Sequence, residues 1–226
     1  MEMAKVILLE GKELLPGERG YARLRLSKPV VALPFDRFVL RGSATIQTIG
    51  GGVVLDPHPP RRLLRSRRME ELRVLAKGDP PSLIMVHGRR ARFSGLKEER
   101  IPALTGLSFR ETRETLQKLH GEGKIVFFDE EGRRFVTQEV YAHLLEEIKR
   151  QIEGYHRENP LKAGIMKEEL KGRLPQEVDS RLFQHLLSHL LEEGVVVQER
   201  EFVRLQGHHI QVDEESQRLM GEVEEI

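Results

Sequence analysis

The sequence contains no cysteine and no tryptophan. Without cysteine there are no disulfides, no thiolate metal sites and no cysteine nucleophile, and a reducing cytoplasm is the natural setting. An excess of one charge is also missing. Lys and Arg total 37 against 36 Asp and Glu, for a net charge of +1. A nucleic-acid surface, if there is one, has to be local. No apolar run is long enough to span a bilayer, and "MEMAKVILLEGKELL" has no basic segment ahead of a long apolar core. Neither a nucleotide-binding motif nor a nucleophile elbow is present.

What is present is a charge-rich chain of 226 residues with aliphatic residues recurring throughout. That length suits one large domain or two to three small ones. Residues 1–56 read as β. The runs "AKVILLEG", "GYARLRLSKPV", "DRFVLRG" and "TIQTIGGGVVLD" are separated by turn signals such as Pro16-Gly17. In "YARLRL" apolar residues alternate with Arg23 and Arg25, as in a strand with one wet face. "PHPP" (57–60) then breaks the pattern and serves as a linker.

Helix formers follow. "RRLLRSRRMEELRVLAKG" predicts an amphipathic helix with Leu64, Arg68, Leu72 and Leu75 near one face and Gly78 as its stop. A second helix should start at Pro80 or Pro81. "TGLS" separates two further helices, with Gly106 as breaker and Ser108 as cap. "KIVFFDEEGRRFVTQ" predicts a hairpin turning near Glu131-Gly132. Helices followed by a ribbon is the order of a winged helix-turn-helix. The order then recurs: a long helix from Gln138, a short one in "IMKEELKGRL", a third in "QEVDSRLFQHLLSHLLEEG" and a hairpin in "VVVQEREFVRLQG". Leu116, Leu119 and Gly123 match Leu187, Leu190 and Gly194 at an offset of 71 residues (194 minus 123), the mark of a repeated module. The expectation is two separate copies of the unit. "VDEESQRLMGEVEEI" begins one more helix, acidic and without a partner.

Gly50-Gly51-Gly52 is a candidate phosphate loop. Val53-Val54-Leu55 follows it as a strand, not a helix start with Lys and Ser or Thr. A bulge or close strand contact is the better reading. His185 and His189 stand at helical i, i+4 spacing, a possible metal pair, but no third ligand is evident and a packing role is preferred. His208-His209 end the second hairpin. The arginines carry more weight. Arg61, Arg62, Arg65, Arg67 and Arg68 crowd together and repel one another unless an anion is near. RNA phosphate is one partner for them and the protein's own acids are the other. Arg110 and Arg113 lie on the third helix of the first copy, and Arg133 and Arg134 on its ribbon, as further phosphate-contact candidates. The third helix of the second copy has only Arg181 among Glu177, Asp179, Glu192 and Glu193, a poor composition for reading a groove. That also weakens the alternative of a tandem winged-helix, DNA-binding transcription regulator.

Pro16-Gly17, Leu26 to Pro29, Arg37-Phe38 to Arg41 and Thr48 to Val54 stand in an order that resembles the third domain of elongation factor Tu-type GTPases. "GGGVVLDPHPPRR" before a basic helix, and "YHRENPLKAGIMKEELKGRL", resemble the bacterial selenocysteine-specific elongation factor, across residues 4 to 226. The resemblance implies an α+β chain with a partial elongation-factor-type β-barrel (1–58) and two winged helix-turn-helix domains (59–138 and 139–212). A truncated third would start at 213–226. It also implies partners: selenocysteinyl-tRNA, an mRNA hairpin at a UGA codon, and the ribosome, with no membrane and a monomeric state. In that family GTP and magnesium belong to a GTPase domain whose motifs are missing here, so no cofactor, metal site or catalytic residue is expected in this chain. The last winged helices, which grip the mRNA hairpin, are also missing. A spacer role follows.

Overall fold

The computed structural model describes residues 1–43, 47–60 and 64–208. The chain divides into two compact units: residues 1–90 with 96–121, and residues 91–95 with those from 122 onward.

In the first unit, β1 (Ala4–Leu8) pairs antiparallel with β2 (Ala22–Leu26), Ala4 opposite Leu26 and Leu8 opposite Ala22. A second hairpin joins β3 (Arg37–Arg41) to β4 (Thr48–Val53), with a register shift between Leu40 and Arg41. The two hairpins are separate two-stranded sheets. Much apolar surface stays in solvent: Val31, Val39 and Ile49 are 99%, 65% and 68% exposed. Among the described residues neither hairpin pairs with a further strand, and its edges are open to pairing.

The triple glycine lies inside β4, with Gly51 opposite Val39 and Gly52 opposite Phe38. A β-carbon at Gly51 would sit 2.6 Å from the Phe38 carbonyl oxygen, and one at Gly52 would sit 2.7 Å from the Phe38 ring. Nothing lies within 4 Å of such an atom at Gly50. The run is thus a close strand contact beside a bulge. Gly51→Ala should cut amide-exchange protection at Phe38 and Val39 by about tenfold, the cost of overpacking a fixed backbone. Gly50→Ala is the control and should change it little.

α1 (Arg65–Lys77) ends at Gly78, left-handed at φ 69°, whose N–H donates to the Leu75 carbonyl. Leu64 is not on its buried face: it precedes the helix and is 77% exposed, while Met69 and Leu75 face inward. α2 (Pro80–Ala91) starts at Pro80, as expected. The Asp79 carboxylate accepts from the Ser82 N–H at 3.1 Å. A short strand β5 (Leu96–Lys97), a 3₁₀ turn and α3 (Ile101–Thr105) lead through left-handed Gly106 into α4 (Phe109–Gly121). There Ser108 and Glu111 form a reciprocal box, Glu111 N–H to Ser108 Oγ and Ser108 N–H to Glu111 Oε2. Leu75, Leu83 and Val86 form a core cluster of this unit, with Leu55, Leu72, Val74 and Leu107 against it.

The second unit contains the ribbon β6 (Ile125–Asp129) and β7 (Arg134–Thr137), then α5 (Gln138–Glu158). Next come β8 (Ile165–Met166), α6 (Lys167–Gly172), α7 (Ser180–Glu192), β9 (Val196–Glu199) and β10 (Phe202–Leu205). The last sheet has the order β8-β10-β9. The sequence pattern missed β8, which is only two residues long. Its approach depends on Gly164, where a β-carbon would lie 2.6 Å from the Val203 carbonyl oxygen. α7 begins at Ser180, later than the apolar pattern suggests, because Asp179 caps it and accepts from the Arg181 N–H. The repeat is real at its marker positions. Leu116, Leu119, Leu187 and Leu190 are buried, and Gly123 and Gly194 are left-handed at φ 66° and 69°.

The two copies are not separate cores, however. Phe93, Phe128 and Val136 share one apolar cluster with Ile148 and Ile152 of α5, Leu182 and Leu186 of α7, and Val203 of β10. The first copy's ribbon folds into the second copy's core. The acidic segment 213–226 lies outside the described residues.

Candidate nucleic-acid interface

Of the arginine burst, Arg65, Arg67 and Arg68 lie on the first turn of α1. Arg61 and Arg62 lie outside the described residues. Arg65 donates through Nη2 to the Leu9 carbonyl. Arg67, 56% exposed, stands 3.5 Å from Glu71. Arg68 is half-buried. Glu71 is itself shared, because Arg90 at the end of α2 donates Nε to it at 2.9 Å and Nη1 to Asp56 at 2.8 Å. The Asp56 side chain is 5% exposed and that of Arg90 18%. This buried three-way ion pair joins the end of the β region to α1 and α2. Asp56 also accepts from the His58 N–H, so "DPHPP" is pinned at its start and not a loose linker. His87, packed beside Arg90, is lowered to about 4 by burial and then by that guanidinium, and stays neutral. Nothing local in the sequence marks Asp56 and Arg90 as partners, because they lie 34 residues apart.

On α4, Arg110 is 87% exposed and pairs with Glu114 at 2.8 Å. Arg113, 66% exposed, is 3.6 Å from Glu98. Phe109 beside them is 67% exposed. The Arg110–Glu114 pair sits in solvent and opens readily to a phosphate, whereas Arg113 is exposed beside a buried Glu98.

The ribbon separates its two arginines. Arg133, left-handed at φ 42° and exposed, places its guanidinium 5.6 Å from the Phe127 ring. Arg134 is spent inside the fold. Its Nη1 donates to Asp179 at 2.9 Å and its Nη2 to the Ser94 carbonyl, and the guanidinium lies 5.2 Å from the Phe128 ring. Its side chain is 18% exposed. Arg181, 55% exposed, donates to the buried Asp129 at 2.6 Å.

The histidines are packing residues. His185 Nδ1 is 3.0 Å from the Tyr141 hydroxyl, and His189 meets the same ring edge-on. Burial and then Glu192 and Glu193 push Tyr141 up to about 12. His208 stacks on His156 at 3.6 Å, and His209 lies outside the described residues. Among the described residues no group of three or more His, Asp or Glu is placed to hold a metal. No described helix is long and apolar enough to cross a membrane.

Two family descriptions match this chain: "Selenocysteine-specific elongation factor, beta-barrel domain" over residues 1–61, and "Elongation factor SelB, winged helix" over residues 149–205. The chain belongs to the selenocysteine-specific elongation factors. It is 28% identical over 206 residues to the selenocysteine-specific elongation factor of Desulfomicrobium baculatum. That alignment covers 91% of this chain and 32% of the relative, so the chain spans about a third of that protein's length. The crystal structure of a bacterial selenocysteine-specific elongation factor, EF-Sec, superposes on the whole chain and on 33% of its own length, with a TM-score of 0.62 and 18% identity. At that identity the likeness concerns the fold. The domains matched are a barrel and a winged helix, neither of them a GTPase domain.

Proposed function

We propose that this chain serves a selenocysteine-specific translation factor as the spacer between a tRNA-carrying body and an mRNA-gripping end, and that it touches RNA backbone on the way. In this reading the factor delivers selenocysteinyl-tRNA to the ribosome in the cytoplasm at a UGA codon marked by an mRNA hairpin. GTP and its magnesium are handled by residues outside this sequence. Residues 1–58 are barrel, 59–138 the first winged helix, 139–212 the second, and 213–226 the start of a third. The observation that carries the spacer role is the apolar cluster running unbroken from Phe93 and Phe128 through the 21-residue α5 to Val203. A continuous core resists bending where a polar linker would not. The RNA-backbone role falls to the exposed cations of α4 and the ribbon tip, Arg110, Arg113 and Arg133, with Arg67 of α1.

Filter binding of the 226-residue chain, titrated with salt, tests this. The ligands are the cognate mRNA hairpin, selenocysteinyl-tRNA, a random RNA duplex and a random DNA duplex. Weak, salt-steep RNA binding with little sequence preference is expected. The Arg110→Glu, Arg113→Glu double variant should weaken it about tenfold and flatten the salt slope by about two phosphate contacts. Sequence-selective binding to duplex DNA would overturn the reading in favour of a transcription regulator.

A further inference from the structure

The charges at the end of the first ribbon and those at the start of α7 are matched in a cross. Asp129 at the end of β6 takes Arg181, and Arg134 at the start of β7 takes Asp179, at 2.6 and 2.9 Å. Each element supplies one acid and one base, so a slip in register would bring like charges together. The acceptors are fixed before the partner arrives. The Gly132 N–H holds Asp129 Oδ1 at 2.9 Å, and any β-carbon at 132 would strike that carboxylate. Asp129 is 5% exposed. Asp179 is oriented by capping α7. Beneath the charges, Phe128 and Val136 of the ribbon are buried in the same cluster as Leu182, Phe183 and Leu186 of α7.

We infer that the β6–β7 ribbon is a docking surface for the reading helix of the second module, and that α7 is therefore closed to nucleic acid. A winged helix enters a groove with the N-terminal turn of its third helix, while its ribbon lies along the backbone. Here the ribbon pairs its charges with Asp179 and Arg181 at the N-terminal turn of α7 and buries Leu182 and Phe183 of that turn, while Ser180 and Gln184 stay exposed. Arg181, the one arginine on α7, is 55% exposed but is held at 2.6 Å by the buried Asp129, a closer pair than Arg113 with Glu98 at 3.6 Å. The wing of the first module has become a clip, and the second module takes its orientation from it. This holds whatever the chain binds.

The absence of cysteine makes the test clean. Spin labels placed by Glu131→Cys and Ser188→Cys, both exposed, report the ribbon-to-helix distance in the full chain by pulsed electron resonance. The unmodified pair of elements should give one narrow distribution. Asp129→Arg or Arg181→Asp alone should broaden it and lower the thermal midpoint by several degrees. The exchange D129R/R181D should recover most of both losses, as a directional pair requires. Unchanged distributions in the single variants, or no recovery in the exchange, would show the cross to be incidental. In the binding assay, Arg181→Glu should leave RNA affinity within about twofold. A loss as large as that of the α4 double variant, with the distance still narrow, would make α7 a reading helix and overturn the inference. Failure of the parent chain to bind RNA counts against the proposed function and leaves the distance arm intact.

Discussion

Replacing Arg90 by alanine should destabilise the unit of residues 1–90 and 96–121 by about 3 kcal/mol, since the guanidinium that two buried carboxylates share is removed. Arg90 bridges Glu71 and Asp56 at 2.9 and 2.8 Å. Without it Asp56 and Glu71, 5% and 12% exposed, lose their shared guanidinium, and Glu71 keeps only the longer 3.5 Å contact with the exposed Arg67 among the ion pairs described for it. Urea unfolding followed at α2 amides measures the loss. A triple variant, Arg90→Met with Asp56→Asn and Glu71→Gln, should recover most of it, because a neutral filled site carries no desolvation penalty. His87 gives a second readout. Arg90 is one cause of its depressed proton affinity, and Asp56 and Glu71 act the other way. In Arg90→Ala the His87 titration should therefore climb from about 4 towards neutrality. A His87 titration that does not move would mean that the carboxylates had drawn in another cation and the cluster had rearranged.

The same site shows where reading the sequence succeeds and fails. Signals that repeat or sit close together were legible. The 71-residue offset of Leu-Leu-Gly, the Ser108–Glu111 cap and the break at Gly106 each come from short-range geometry that leaves a local pattern. The glycine run was legible as a close contact because a strand, not a helix, follows it. The pairs that organise the units have no such trace. Asp56 and Arg90 are 34 residues apart, Arg134 and Asp179 45, and Asp129 and Arg181 52. Nothing in periodicity ties together charges so far apart, in a chain where 32% of residues are charged. For that reason Arg134 reads as an ordinary wing arginine in the sequence and turns out to be committed within the fold. The fusion of the first ribbon into the second core was hidden for a related reason. Phe93 and Phe128 look like members of the first copy, because chain order says nothing about which neighbour buries a side chain. The identity was legible from the barrel segment, where strand order and the Gly-Val-Val ending occur together.

The second large effect is acid sensitivity ahead of the carboxylates. His87 and His156 are both buried, 6% and 8% exposed, and both are lowered from 6.5 to about 4. For His156 the causes are burial and then His208 and Arg204. Its Nε2 accepts the Leu205 N–H at 3.2 Å, so protonation there would also break a hydrogen bond next to the sheet. The sign is fixed by which state takes the proton first. Between pH 6.5 and about 4 the unfolded chain binds a proton at each site and the folded chain does not. Stability therefore falls as pH drops through that window and levels off below it. A gap from 6.5 to about 4 is worth about 3 kcal/mol per histidine. Asp129 and Asp179 are held below the usual carboxylate range, the first by the Gly132 N–H and Arg181, the second by Arg134 and the α7 backbone against the opposing effect of burial. Their contribution is present above the ordinary aspartate value and is lost only at lower pH. Hydrogen exchange at about pH 7 and about pH 4.5 should thus show α2 and α5 losing protection while the ribbon charges are still paired. His87→Asn should flatten the pH dependence in α2 alone, and His156→Gln in α5 alone, because the two histidines lie in different units. If both variants keep the slope of the parent chain, the two imidazoles do not carry the acid sensitivity.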